Sequence, residues 1–279
     1  MPDTISHNRH LHFLPIFCLT WLIFLWPSVT LSADVSPKAE MSASVGVSFL
    51  DFHYAEYDGG GGLLDYENGL LPGFAVEATR TENDWLITGK LDYHTGDVRY
   101  DGHTQTGLAV VTHSNAIILD VFLQVGRQFR VEGRPSYSLY GGVGHHYWRR
   151  EIRSTGAVSG LSETYRWDYA ALGLDHVLYQ SDRHTWKVDL RMQRTLSPSM
   201  EFNSVQFPLV ARNGVRIAFP WSNPLQKKLR LNIEPYYERW ELGRSPGREV
   251  ILNGSTVSAF EPDSVTNNRG IMVSIIASF

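Results

Sequence analysis

From residue 43 onward the chain alternates apolar and polar residues, through segments longer than the strands of ordinary soluble domains. In residues 186–195, Trp186, Val188, Leu190 and Met192 share one face and Lys187, Asp189, Arg191 and Gln193 the other, because successive side chains of a strand point oppositely. The pattern recurs with Trp85, Ile87, Gly89, Leu91 and Tyr93 against Thr88, Lys90, Asp92 and His94. It recurs again with Ile117, Leu119, Val121, Leu123 and Val125 against Asp120 and Gln124. Val215, Ile217, Phe219 and Trp221 likewise oppose Arg212, Gly214, Arg216 and Ala218, and Leu229, Leu231 and Ile233 oppose Arg230, Asn232 and Glu234. One flank suits acyl chains and the other suits water. Past residue 33 no apolar run reaches the ~20 residues of a membrane helix, since the best candidate, residues 116–125, is broken by Asp120. A chain of this kind crosses a membrane only as strands. The expected fold is therefore all-β, a closed antiparallel transmembrane β-barrel of about ten strands, with eight or twelve also compatible.

Turn chemistry gives the meander a polarity, because short connectors (81–84, 130–135, 180–184, 222–227) alternate with long ones (58–73, 101–115, 153–163, 198–207, 243–268). Placing the short turns in the periplasm puts both ends of the mature chain there and yields five hairpins. Aromatic residues make up 12% of the chain, a share suited to membrane interfaces. With this topology Trp85, Phe129, Tyr137, Tyr179, Trp186, Trp221 and Phe279 form a periplasmic belt, and Tyr54, Tyr93, Tyr147, Trp148, Tyr165, Trp167, Tyr237 and Trp240 an outer one. The apolar face changes parity after Tyr169, which predicts a bulge near Ala170, and similarly after Phe49.

The first 33 residues read as a secretory signal peptide: His7, Arg9 and His10 lead an apolar run at 13–29, with removal expected after Ala33 or after Ser32. The barrel domain is then 34–279. Cys18, the only cysteine, lies in the leading segment, so the mature chain has no thiol chemistry. A net charge of -4 lacks the basic excess that a phosphate-neutralising surface requires, which argues against nucleic acid as a partner.

The chain ends NRGIMVSIIASF, with Ile271, Val273, Ile275 and Ala277 on one face and Phe279 last. A terminal aromatic preceded by alternating apolar residues resembles the signal that bacterial outer-membrane proteins present to their assembly machinery. The resemblance implies a bacterial outer-membrane location, with that machinery and the membrane's lipid, lipopolysaccharide included, as partners. In strand number and loop layout the chain also looks similar to the omptin surface proteases. Their active site joins paired aspartates to an Asp-His pair at the outer rim, and neither is matched here.

The catalytic candidates are His94 and Asp92, two apart on an inward face, with Asp97 just above. Such a trio polarises a water if it converges, while interior charge pairing explains it as well. The alternation places Glu77, Lys90, Asp92, Asp120, Arg166, Asp168, Lys187, Asp189, Arg191, Arg212, Arg216, Arg230 and Glu234 in the lumen. Charges of both signs in so narrow a space are expected to pair into a plug, a selective conduit being the alternative. Arg149, Arg150, Arg153, Arg239 and Arg244 fall at or above the outer belt, where guanidinium groups bind lipopolysaccharide phosphates or stand as solvated loop bases. Gly59 to Gly62 lack the Lys-Ser/Thr of a phosphate loop and predict a flexible hairpin tip, while Leu63, Leu64, Leu70 and Leu71 are expected to fold into the barrel mouth. No metal or cofactor motif is present. The reading is a barrel with a structural or surface-binding role, with a rim hydrolase or a narrow channel as the alternatives.

Overall fold

A computed structural model describes residues 39–279 except 104–106, 133, 157 and 253–254. The expected signal peptide lies outside the described residues. Seven long strands follow one another: β1 (Glu40–Tyr57), β2 (Leu63–Glu82), β3 (Trp85–His103), β4 (Ala109–Val131), β5 (Arg134–Ile152), β6 (Leu161–Gln180) and β7 (Thr185–Phe202). The eighth stave is broken into β8 (Val205–Pro208), β9 (Val210–Ala211), β10 (Asn213–Ala218) and β11 (Trp221–Gln226). Pro208 and Pro220 stand at two of the three interruptions, since proline donates no ladder hydrogen bond, and at the third the Arg212 amide donates to the Thr195 side chain instead of to a neighbouring strand's backbone. β12 (Leu229–Gly243) is the ninth stave and β15 (Asp263–Ser278) the tenth, and between them β13 (Arg248–Leu252) and β14 (Ser255–Ala259) form a separate hairpin.

Every stave pairs antiparallel with its sequence neighbours, and β15 pairs with β12 on one side and β1 on the other. Ser42↔Ser278 through Tyr57↔Asp263 close the ring, so the described barrel has ten staves and no free edge. Ile271 and Ile275 of the carboxyl-terminal strand face outward, as does Phe279, whose amide donates to the carbonyl of Met41.

The outer surface of the end carrying the termini is an apolar band. Val45, Val47, Phe49, Ile87, Leu123, Val125, Leu139, Val143, Leu190 and Met192 are all exposed. Trp85, Tyr137, Tyr179 and Trp186 ring its lower edge. Above the band the outward positions become charged and pair with one another, as in Arg99–Asp101, Arg166–Glu201 and Arg212–Asp263. The strands have 18 to 23 residues along the first seven staves, whereas about 9–11 suffice to cross a bilayer. The loop end of the wall therefore stands clear of the hydrocarbon.

That excess length corrects several expectations. Tyr54, Trp148, Tyr165, Trp167 and Trp240, read as an outer aromatic belt, are buried inside the barrel with Phe52, Phe122 and Tyr169; Tyr93, Tyr147 and Tyr237 are left on the outer side. The parity of β6 never changes at Ala170: Tyr165, Trp167, Tyr169 and Ala171 face in, and Arg166, Asp168, Ala170 and Leu172 face out, in one unbroken alternation. β1 is equally regular past Phe49. The nearby bulge lies in β7, where Leu196 to Ser199 span the same step as Asp168 to Arg166 and Ser197 takes a left-handed φ of 45°. What changes along β1 and β6 is the surroundings, with oil outside and water inside at one end, and the reverse at the other.

The connectors are shorter than expected. β1 and β2 are joined by 58–62, and β7 and β8 by Asn203 and Ser204 alone, both in the left-handed conformation of a tight hairpin. Of the four leucines assigned to the mouth only Leu71 is fully buried; Leu70 is exposed on the outer face and Leu63 is exposed at the start of β2. Inside, small residues make room for rings: a Cβ on Gly144 would collide with the Tyr169 ring, and one on Gly173 with that of Tyr140.

Leu123→Arg puts a charge into the apolar band, where it is expected to cost about 2–4 kcal/mol of unfolding free energy in lipid vesicles. Urea titration of the vesicle-embedded protein measures it, and a cost within about 0.5 kcal/mol, as for an ordinary surface substitution, would remove Leu123 from lipid.

Candidate functional site

The inward residues form layers along the barrel axis, and their size and charge decide what each layer can do. At the terminal end they are Ser42, Thr79, Thr88, Gln128, Ser138 and Ser222, too short to meet across the lumen, and they leave a cavity of about 510 Å³. Above it lies a layer of charge. Lys90 pairs with Glu77 at 3.0 Å, Arg216 with Glu234 at 2.7 Å and Asp189 at 3.8 Å, and Lys187 with Asp175 at 3.3 Å. Tyr140 donates to Asp189. The next layer holds Arg191 on Glu238 at 2.9 Å, and Asp120 between His146 at 3.0 Å and the Tyr169 hydroxyl at 2.8 Å. His146 stacks on Trp167. Buried ions need such pairing, because an unpartnered charge away from water costs several kcal/mol.

The loop half is dry. Trp148, Tyr165, Tyr54 and Phe52 pack ring against ring, as do Trp167, Trp240 and Tyr169. Val250 of the β13–β14 hairpin joins this core, so the last loop folds back into the mouth. In its midst Arg150, 2% exposed, touches four carboxylates: Glu56 at 2.6 Å, Glu163 at 2.5 Å, Glu67 at 3.4 Å and Asp65 at 3.8 Å. The guanidinium also lies over the rings of Tyr54, Trp148 and Tyr165. A fifth acid, Glu261, comes from the segment after the hairpin and accepts a hydrogen bond from Tyr165 at 2.5 Å. One base therefore faces five acids.

This cluster lies above the band, level with outward charges such as Arg149 and Glu151 on β5. Burial, with the neighbouring acids, pushes the carboxyls of Asp65, Glu163 and Glu261 above their ordinary range against the pull of Arg150, and burial raises Glu67 to about 7. Asp65 Oδ1 and Glu67 Oε2 have no hydrogen-bond partner.

The structure separates the residues of the catalytic candidate. His94 is buried and bonds to Ser48 Oγ at 2.9 Å, whereas Asp97 is on the outer surface, held by Arg153 and Asn115. The odd spacing from residue 94 to 97 puts them on opposite faces, so the trio does not converge. Arg166, Asp168 and Arg212, expected in the lumen, are on the outer wall, paired with Glu201, His145 and Asp263. Arg166 and Asp168 were misplaced because the aromatics alternating with them face in, and Arg212 because the strand breaks between β9 and β10, where its amide donates to Thr195 Oγ1 and the parity that holds for Gly214, Arg216 and Ala218 is lost. Glu77, Lys90, Asp92, Asp120, Lys187, Asp189, Arg191, Arg216, Arg230 and Glu234 line interior cavities. Arg150 cannot meet a lipid phosphate, since it is enclosed by the acids. Arg149, Arg153 and Arg239 are outside and already paired with Glu151, Asp97 and Glu241, while Arg244 lies over Phe260. Glu56, Glu67, Glu163 and Glu261 were missed. For the first three the sequence signal is an acid on an inward parity above the point where outward residues turn charged; Glu261 lies between strands and carries no such signal.

No family model matches the chain, and no curated protein sequence matches it. Among solved structures, the outer membrane protease OmpT from Escherichia coli superposes over 90% of this chain and 99% of its own, with a TM-score of 0.59 and 11% identity. The fold is that of an outer-membrane β-barrel. The translocator domain of the autotransporter NalP from Neisseria meningitidis (14% identity, 88% of this chain, 90% of that one, TM-score 0.43) and OprG from Pseudomonas aeruginosa (9%, 88% and 97%, 0.37) are further barrels of this kind. At such identities the likeness extends to the fold and not to activity.

Two outcomes test the Arg150 cluster. Arg150→Met leaves the acids without a counter-charge and is expected to destabilise the barrel by about 3–5 kcal/mol in denaturant titration at pH 8. A carboxyl whose folded pKa is raised takes up a proton in the folded state first. Its burial therefore weakens the fold as pH rises from the unfolded value toward about 7, and leaves the penalty constant above that. Glu67→Gln is expected to flatten the decline in unfolding midpoint between pH 5 and 8; an unchanged slope would contradict the assignment.

Proposed function

We propose that the protein is an integral outer-membrane barrel with a blocked lumen that works through its protruding loop end, in a structural or surface-binding role. The observation that supports this most is the filling of the loop half, where the aromatic core, the Arg150 cluster and Val250 occupy the interior from wall to wall. A ten-stranded interior is only slightly wider than that of eight-stranded barrels, which side chains alone fill. A conduit reading has to displace that core. The hydrolase reading lacks its reacting centre, since His94 and Asp97 point apart.

Above the apolar band Arg149, Arg153 and Arg239 stand outside as members of exposed ion pairs, with Arg244 beyond them. Lipopolysaccharide phosphates exchange with the partner carboxylates at modest cost, because exposed pairs hold each other by only about 0–1 kcal/mol. That ring is our choice for lipid contact at the outer leaflet. Export by a cleaved leader, delivery by the assembly machinery reading Val273, Ile275, Ala277 and Phe279, and residence in the bacterial outer membrane complete the proposal.

Planar-bilayer recording tests the blocked lumen. The refolded mature chain is expected to give no resolved conductance steps. Steady openings that persist when the β13–β14 hairpin is tethered to the wall would overturn the reading.

A further inference from the structure

The cavity at the terminal end serves neither the plug nor the loops. Its walls present hydroxyls and amides, among them Ser42, Thr79, Gln124, Gln128, Ser138 and Asn232, around an opening rimmed by the exposed residues Glu40 and Gln180. Its floor is the charge layer of Lys90–Glu77 and Arg216–Glu234, capped by the Tyr140 hydroxyl. It is a cup, and at about 510 Å³ it falls in the size range of small-molecule sites.

The inward cations of the described barrel, Lys90, Lys187, Arg191, Arg216 and Arg150, each contact a carboxylate. Arg230 is the exception among the described residues. It lines the cup, and its Nη2 alone is engaged, donating to Thr185 Oγ1 at 3.2 Å, to Ser222 Oγ at 2.9 Å and to the Ser222 carbonyl at 3.5 Å. These neutral acceptors orient the group without neutralising it. Nε and Nη1 have no partner among the described residues and point to different sides of the planar group, so each is left to donate a single charge-assisted hydrogen bond to an oxyanion.

We infer that this cup binds a small hydroxylated anion, a sugar acid or sugar phosphate, with Arg230 holding the oxyanion and the surrounding amides and hydroxyls taking its hydroxyl groups. The solute enters from the side of the chain termini, opposite the loops, so this site is independent of the surface role proposed above. Polar walls with Arg230 unpaired beside them favour a polar guest that sets its oxyanion there over an apolar one, although Glu40 at the rim is also without an ion pair among the described residues and the cup carries five carboxylates to four cations; the ion-paired floor stops the guest from passing through.

Calorimetric titration of the detergent-refolded mature chain with glucuronate, glucose 6-phosphate and glucose tests the inference. Saturable binding of at least one of the two anions is expected, at least tenfold tighter than glucose, and which of them binds tells carboxylate from phosphate. Arg230→Gln is expected to weaken that binding at least tenfold while heat-modifiable mobility, the mark of a folded barrel, persists. Ser138→Trp, which fills the cup and leaves Arg230 in place, is expected to abolish it. Failure of both anions to saturate, equal affinity for glucose, or undiminished binding by either variant would overturn the site and leave the plugged-lumen reading standing.

Discussion

Closure of the sheet is the constraint from which the rest follows. Inside hydrocarbon no water satisfies a backbone N–H or C=O, so a strand crosses only if both its edges are paired. Here the first strand meets the last from Ser42↔Ser278 to Tyr57↔Asp263, and the ring holds although the eighth stave is cut into four pieces, at Pro208, Arg212 and Pro220. The break is tolerated because its neighbours bridge it. Lys187 N–H donates to the Pro220 carbonyl and Phe219 N–H to that of Pro235, where the regular ladder lapses.

Once the ring is closed, alternation becomes a statement about two solvents, and these trade places along each strand. Near the termini the outside is oil and the inside a wet, charged cup. Beyond the band the outside is water, faced by ion pairs such as Arg166–Glu201, and the inside is a dry aromatic core. The protruding half is therefore built like a soluble domain wrapped around its own centre. Burying one guanidinium among five carboxyls in that core is expensive in solvation. The arrangement persists because each acid meets Arg150 or a tyrosine hydroxyl, and because several carboxyls hold their protons more tightly than usual.

Much of this architecture was legible in the residues. The ten staves, their antiparallel order and the lipid-facing set from Val121 to Val125 or Trp186 to Met192 follow from period two and turn spacing, since in the band the apolar face has one meaning. Legibility failed where that meaning inverted. Tyr165, Trp167 and Tyr169 carry the same alternation as Val121, Leu123 and Val125 but face the opposite way, and only the position of the outward charges relative to the band tells them apart. Arg166 and Asp168 were misplaced for that reason, whereas Arg212 sits at the break between β9 and β10, where parity is interrupted. Asp97 failed differently, by simple parity with His94. The interior network was readable as a set of charges but not as pairs, because cross-lumen partners such as Arg150 and Glu56 are distant in sequence and meet only when the cylinder closes.

Closure is tested most directly by amide hydrogen exchange of the folded protein in micelles, read along the first and last strands. A closed ring predicts that amides from Val45 to Phe49 and from Ile271 to Ile275 are protected as strongly as those of β4 in the middle of the sheet. Exchange of these two segments within minutes, with β4 still protected, would mean that they are free edges, and the barrel account would be contradicted.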